Sequence, residues 1–128
     1  MLRKSRQREA ILGYLRSTIS HPTAYSVYET VRQDIPNISL GTVYRNLKLL
    51  SAEGKILELA LAGSLSRFDG NARNHYHFRC AGCGSVFDVA EPVDTSLDSR
   101  VARETGFRVS YHILEFRGLC RDCGPDRE

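Results

Sequence analysis

Four cysteines fall in two C-x-x-C pairs, Cys80 with Cys83 and Cys120 with Cys123, with 36 residues between the pairs. A single centre using all four would tie the middle of the chain to its C-terminal end, and no other feature restricts the fold as strongly. The start of the chain, Met1-Leu2-Arg3-Lys4-Ser5-Arg6, lacks the apolar core of a signal peptide, and no run is long and apolar enough to span a bilayer. A cytoplasmic protein is therefore expected. In that reducing compartment paired cysteines read as thiolate metal ligands rather than as disulfides. The spacing is that of a zinc ribbon with a longer spacer, and four thiolates suit tetrahedral Zn2+. Such a site is closed, which makes it structural and argues against a zinc hydrolase. A rubredoxin-like iron centre and a redox dithiol switch are alternatives for the same four residues.

The first cysteine pair closes a denser stretch, Asp69 to Cys83, that reads D-G-N-A-R-N-H-Y-H-F-R-C-A-G-C. His75 and His77 are one residue apart, so on an extended strand they point the same way and can grip one metal ion. Two different ligand chemistries thus meet in one segment.

A length of 128 residues allows one ordinary domain or two small ones. Charge divides the chain: residues 1–68 carry a net +5, and residues 69–128 a net −2. The basic half is the candidate for binding nucleic acid, although such an excess is also common on solvated helices. In that half Ala10, Ile11, Leu12, Tyr14 and Leu15 recur at helical spacing and predict a helix from Ser5 to between Ser17 and Ser20. Thr23 is expected to cap a second helix with Ala24, Val27, Tyr28 and Val31 on its apolar face, ended by Ile35-Pro36-Asn37. Ser39 is expected to cap a third, Leu40 to about Glu53, burying Leu40, Val43, Leu47 and Leu50. The opposite face carries Thr42, Tyr44, Arg45, Asn46 and Lys48. Three short helices with a polar, basic and aromatic third describe either a helix-turn-helix domain or a generic three-helix bundle. The hairpin that follows favours the former: Leu57, Leu59 and Leu61 alternate, Ala62-Gly63-Ser64 turns, and Leu65 to Phe68 returns as the second strand of a wing.

Beyond Asp69 the pattern becomes mixed. Strands are expected at His75–Arg79, Val86–Val89 and Phe107–Phe116, with a helix from Asp94 or Thr95 to about Glu104 that ends at Gly106. The fold class expected is α+β: a winged helix-turn-helix domain over 1–69, then a small α/β domain over 70–128 holding the cysteine site.

A winged helix followed by H-x-H-x-x-C-x-x-C and a distal C-x-x-C resembles the ferric uptake regulator (Fur) family of metal-dependent bacterial repressors. The likeness covers about residues 5–124 and extends to His21-Pro22-Thr23-Ala24 and to Ser39-Leu40-Gly41-Thr42-Val43-Tyr44-Arg45-Asn46-Leu47, which is similar to the family's recognition-helix signature, with Gly41 departing from it. The resemblance implies a homodimer that pairs through its C-terminal domains and presents two winged helices to double-stranded operator DNA. Thr42, Tyr44, Arg45 and Lys48 are the DNA-facing residues on this reading. It also implies structural Zn2+ on Cys80, Cys83, Cys120 and Cys123, and a regulatory Fe2+ or Mn2+ on His21, Asp69, His75, His77 and Asp88. Aspartate at both 69 and 88 is similar to the peroxide-sensing branch, in which a ligand histidine is oxidised and DNA is released; His21 and His75 are the oxidisable candidates. Iron-sensing members more often carry glutamates there, and an iron- or zinc-uptake regulator is the alternative. A further metal site found in some members is not expected, because Asn74, Tyr76 and Thr95 occupy its places, and His112 is expected to be packed or hydrogen-bonded. No enzymatic activity, small-molecule substrate or membrane association is expected: an N3O2 set is nearly saturated, whereas an iron oxygenase needs open positions.

Overall fold

The computed structural model describes residues 3–60 and 65–124. It forms two compact units, Met1–Arg73 and Asn74–Glu128. Each is described by itself.

The first unit begins with three helices, α1 (Arg3–Ser17), α2 (Ala24–Val31) and α3 (Leu40–Ala52). Thr23 and Ser39 cap the second and third, each with an extended backbone and a side-chain oxygen accepting from the amide three residues on, Ser26 N at 3.2 Å and Thr42 N at 3.1 Å. The core is the set the periodicity selects, Ile11, Leu12 and Leu15 from α1, Val27 and Val31 from α2, and Val43, Leu47 and Leu50 from α3. Ile35, Ile38, Ile56 and Phe68 join it from outside the helices. Burying each such side chain stabilises the unit by roughly 1.5–3 kcal/mol.

Leu40 departs from expectation, being 43% exposed. Ile38 takes the apolar role at this end of α3: it precedes the cap and is buried together with Val43, the spacing of a hydrophobic staple. Gly54, at φ 75°, then turns the chain out of α3. The hairpin follows as β1 (Leu57–Leu59) and β2 (Arg67–Asp69), antiparallel, with Glu58 opposite Phe68. Leu61 and the expected turn Ala62-Gly63-Ser64 lie outside the described residues. Gly70 ends the wing so close to α1 that a Cβ there would stand 2.4 Å from the Leu15 carbonyl oxygen, which admits no side chain.

The second unit is a three-stranded sheet in the order β4-β3-β5. Its central strand β3 (Tyr76–Cys80) pairs antiparallel with β4 (Val86–Val89) and parallel with β5 (Glu115–Gly118). Helix α4 (Thr95–Thr105) is capped by Asp94 and closed by Gly106 in the left-handed region at φ 79°. The long last strand expected over Phe107–Phe116 is corrected to β5 alone. Residues 107–114 have the alternation of a strand, but the parallel register that pairs Glu115 with His77 sets residues 107–113 opposite 69–75, and 70–75 form no strand to pair with. Phe107, Tyr111 and Ile113 stay 63–76% exposed. Among the described residues no helix is long and apolar enough to cross a membrane.

Candidate metal centres and nucleic-acid face

The cysteine site is built by two turns. Cys80 ends β3 and the chain reverses at once, Gly84 N donating to the Cys80 carbonyl at 2.9 Å. Beyond β5, Gly124 N donates to the Cys120 carbonyl at 2.9 Å in the same way. Parallel pairing of β3 with β5 sets Cys80 beside Gly118, so the two turns emerge side by side. The four Sγ atoms lie within 4.8 Å of one another, with Cys83 and Cys120 at 3.9 Å. Tetrahedral coordination with bonds of about 2.3 Å requires sulfurs roughly 3.8 Å apart, so the four fit a single zinc-sized ion.

Backbone amides add to the fit. Amides of Gly82, Cys83 and Cys120 donate to Cys80 Sγ at 3.3–3.4 Å. The bonds from Cys83 and Cys120 are the main cause of a Cys80 thiol lowered to about 6. Cys83 is lowered too, by Ser85. Cys123 moves the other way, pushed up to about 12 by its neighbours Cys120, Cys80 and Cys83. Four adjacent thiols therefore do not all ionise unaided, and a divalent cation is what would let them. Gly82 makes room, since a Cβ there would meet Cys123 Sγ at 3.1 Å.

In the same unit the two histidines behave as their spacing predicts. Their ring centroids are 4.3 Å apart, and both Nε2 atoms face one oxygen of Asp88, at 2.9 Å from His75 and 3.4 Å from His77. The antiparallel ladder explains the meeting, because Asp88 in β4 is the cross-strand partner of His77. Two imidazoles and a carboxylate aimed at one point make a mixed N/O donor set.

The first unit holds a second such grouping. His21 Nε2 is 3.2 Å from Asp69 Oδ2, and both residues are buried. His21 has φ 52°, uncommon outside glycine and disfavoured before a proline. Two hydrogen bonds to β2 hold it there, within an antiparallel bridge of Thr23 with Arg67: Arg67 donates from Nη1 to the His21 carbonyl at 3.0 Å, and Phe68 N donates to the Pro22 carbonyl at 2.9 Å. Strain stored beside a polar pair is typical of sites where a side chain must be aimed. Arg67 escapes a reading of the sequence because its role depends on a contact 46 residues away.

On α3, Tyr44, Arg45 and Lys48 are exposed and Thr42 is half-buried. Arg45 receives its orientation from Thr42 Oγ1, to which it donates at 3.1 Å, and that oxygen also bonds the cap residue Ser39. Lys48 lies 5.4 Å from the Tyr44 ring and is paired with Glu58 of β1. His112 is indeed hydrogen-bonded, its Nε2 2.8 Å from the Tyr76 hydroxyl and its Nδ1 2.7 Å from Asp98.

A three-helix unit with a wing, followed by a unit knitted by four cysteines and carrying paired histidines beside a carboxylate, defines a metal-responsive transcription regulator. The ferric uptake regulator family matches residues 1–117, and the chain belongs to that family. It is 40% identical over 122 residues to the peroxide-responsive repressor PerR of Staphylococcus aureus (strain Mu50 / ATCC 700699), covering 95% of this chain and 82% of that protein. Among solved structures, the ferric uptake regulator Fur of Helicobacter pylori superposes with a TM-score of 0.82 at 25% identity, over 96% of this chain and 83% of that one. FurB of M. tuberculosis, a zinc uptake regulator, superposes with a TM-score of 0.54 at 30% identity, over 94% and 95%.

Proposed function

We propose that this protein is a metal-dependent repressor of the peroxide-sensing kind. The observation that carries the reading is the convergence of His75 and His77 on Asp88, in a chain 40% identical to a peroxide-responsive repressor. Cys80, Cys83, Cys120 and Cys123 hold structural Zn2+. His21, Asp69, His75, His77 and Asp88 would hold one Fe2+ or Mn2+, and metal binding would couple the DNA-binding portion (1–69) to the dimerisation and metal-binding portion (70–128). The partners are operator DNA, met by Thr42, Tyr44, Arg45 and Lys48, and a second copy of the chain. The exposed apolar residues Phe107, Tyr111 and Ile113 support the dimer.

Bound iron would relay electrons to hydrogen peroxide. The chain supplies the target and, overall, the two electrons: an imidazole C–H of His21 or His75 would become C–OH as the O–O bond breaks, and the other peroxide oxygen would leave as water. The oxidised ring would no longer serve as a ligand, and His21 or His75 would cease to support the metal-dependent grip on DNA. Protein purified without oxygen, loaded with Fe2+ and given peroxide, should gain one oxygen on His21 or His75 by mass mapping, and lose its duplex. Loaded with Mn2+ it should stay intact. An iron form that gains no oxygen on any histidine and keeps its DNA removes the peroxide reading. A metal-uptake regulator then becomes the better one, a reading the likeness to FurB favours.

The DNA face has its own test. Arg45→Ala should cost about 1–3 kcal/mol and relax sequence preference if Arg45 reads a base edge, or weaken all sequences alike if it holds a phosphate. Competition titrations with selected and unrelated duplexes separate the two. Unchanged affinity for both would take α3 out of the interface.

A further inference from the structure

Lys48 and Glu58 form a pair that the assignment of Lys48 to DNA leaves unexplained. The Lys48 amine stands 2.9 Å from each oxygen of the Glu58 carboxylate, a symmetrical grip rather than a glancing contact. Glu58 is the middle residue of β1, 19% exposed at its side chain, and Ser66 gives its carboxylate another hydrogen bond. Burial raises the Glu58 carboxyl, but the bonds from Lys48 and Ser66 outweigh it and hold the group below its ordinary value. The hydrogen bond to Glu58 raises the Lys48 amine. Both partners are thus ionised, and the pair carries no net charge. Arg45 differs: it donates to the neutral hydroxyl of Thr42 and is exposed, so its charge is not neutralised in the same way.

We propose that Glu58 is a specificity-determining residue, which holds Lys48 as a neutral strut between α3 and the wing and so keeps it off the phosphates of DNA. The inference rests on the DNA-binding reading above and narrows the part of Lys48 in it, from a phosphate contact to a neutralised residue on the DNA face. Phosphate contacts bind every sequence alike, each adding about 0.9 to the slope of log affinity against log salt. A recognition helix with one fewer such contact binds unrelated DNA less well, while contacts that read sequence are untouched. The same strut sets the pitch of the wing, because β1 is anchored to α3 at its middle residue. A carboxylate near DNA is tolerated only while its partner neutralises it, so the two residues work as a unit.

The test uses the full chain, loaded with Zn2+ and with redox-inert Mn2+, as wild type, Glu58→Gln and the double variant Lys48→Met with Glu58→Gln. Glutamine keeps the shape of Glu58 and can still bond Ser66. The probes are a duplex enriched by the wild-type protein from a random-sequence pool and an unrelated duplex of equal length. Glu58→Gln should steepen the salt slope by about 0.9 for each bound chain on both duplexes, as Lys48 is released to a phosphate, and the ratio of affinities should fall. The double variant should return to the wild-type slope. The proposal is overturned if Glu58→Gln leaves the slope unchanged and the double variant loses about 0.9, since Lys48 would then already leave Glu58 for a phosphate in the complex. Failure of the wild type to enrich any duplex overturns the DNA-binding reading itself, and this inference with it.

Discussion

Cys120→Ser should leave the second unit unfolded and the protein free of zinc. The magnitudes decide this. Among the described residues the buried hydrophobic side chains of that unit are Tyr76, Cys80 and Val86 alone, with His77 as its buried polar group, and α4 buries none. At roughly 1.5–3 kcal/mol for each buried large side chain, three contribute less than about 10 kcal/mol before chain entropy is subtracted. A structural zinc contributes on the order of 10–16 kcal/mol of apparent binding energy, and in small domains that energy is folding energy. Serine replaces one of four converging sulfurs and leaves the turn at Cys120 without its cross-link to Cys80. Metal analysis, far-UV circular dichroism and sedimentation would report loss of zinc, loss of strand signal and monomer or aggregate. A zinc-free variant that stays folded, dimeric and able to bind a duplex would contradict the prediction.

Asp88→Glu should separate holding a metal from sensing peroxide. One Asp88 oxygen faces both imidazoles, and the side chain is 44% exposed, so as a metal ligand the carboxylate would be the one most open to solvent of these three. An added methylene extends its reach by about 1.5 Å, enough to take up the space through which a small oxidant would approach. With Mn2+ the variant should still bind DNA in a metal-dependent way. With Fe2+ it should lose DNA about tenfold more slowly than wild type after peroxide, or more slowly still, the scale on which changes around metal sites register. Release of DNA at the wild-type rate, with the same oxygen gained on His21 or His75, would remove Asp88 from any role in admitting peroxide.

Features set by neighbours along the chain were legible in the sequence, and features set by distant contacts were not. Thr23 and Ser39 announced their helices because a cap is a local arrangement of one side chain and one amide. The cysteine pairs could be matched because ligand number and spacing are written in the chain. Alternation placed His75 and His77 on one side of a strand, as their 4.3 Å ring separation bears out. Leu40 misled because periodicity assigns a face but not where the core ends along it. The stretch 107–114 misled because alternation records that a strand wants a partner and is silent on whether the same chain provides one. Glu58 and Arg67 were invisible: one acts through the register of a hairpin, the other through a carbonyl 46 residues back. Neither leaves a mark in its own surroundings.

The turn at His21 bears on response time. A ligand carried on a slack loop must be gathered in from many orientations when an ion arrives, and that search slows capture and subtracts from affinity. Here Pro22 and the bonds to β2 complete the search as the protein folds, and the strain at φ 52° is borne by the folded unit, whether or not metal is present. As a metal ligand, His21 is then already aimed beside Asp69 when an ion comes. In that role His21 would add no local search of its own to metal capture.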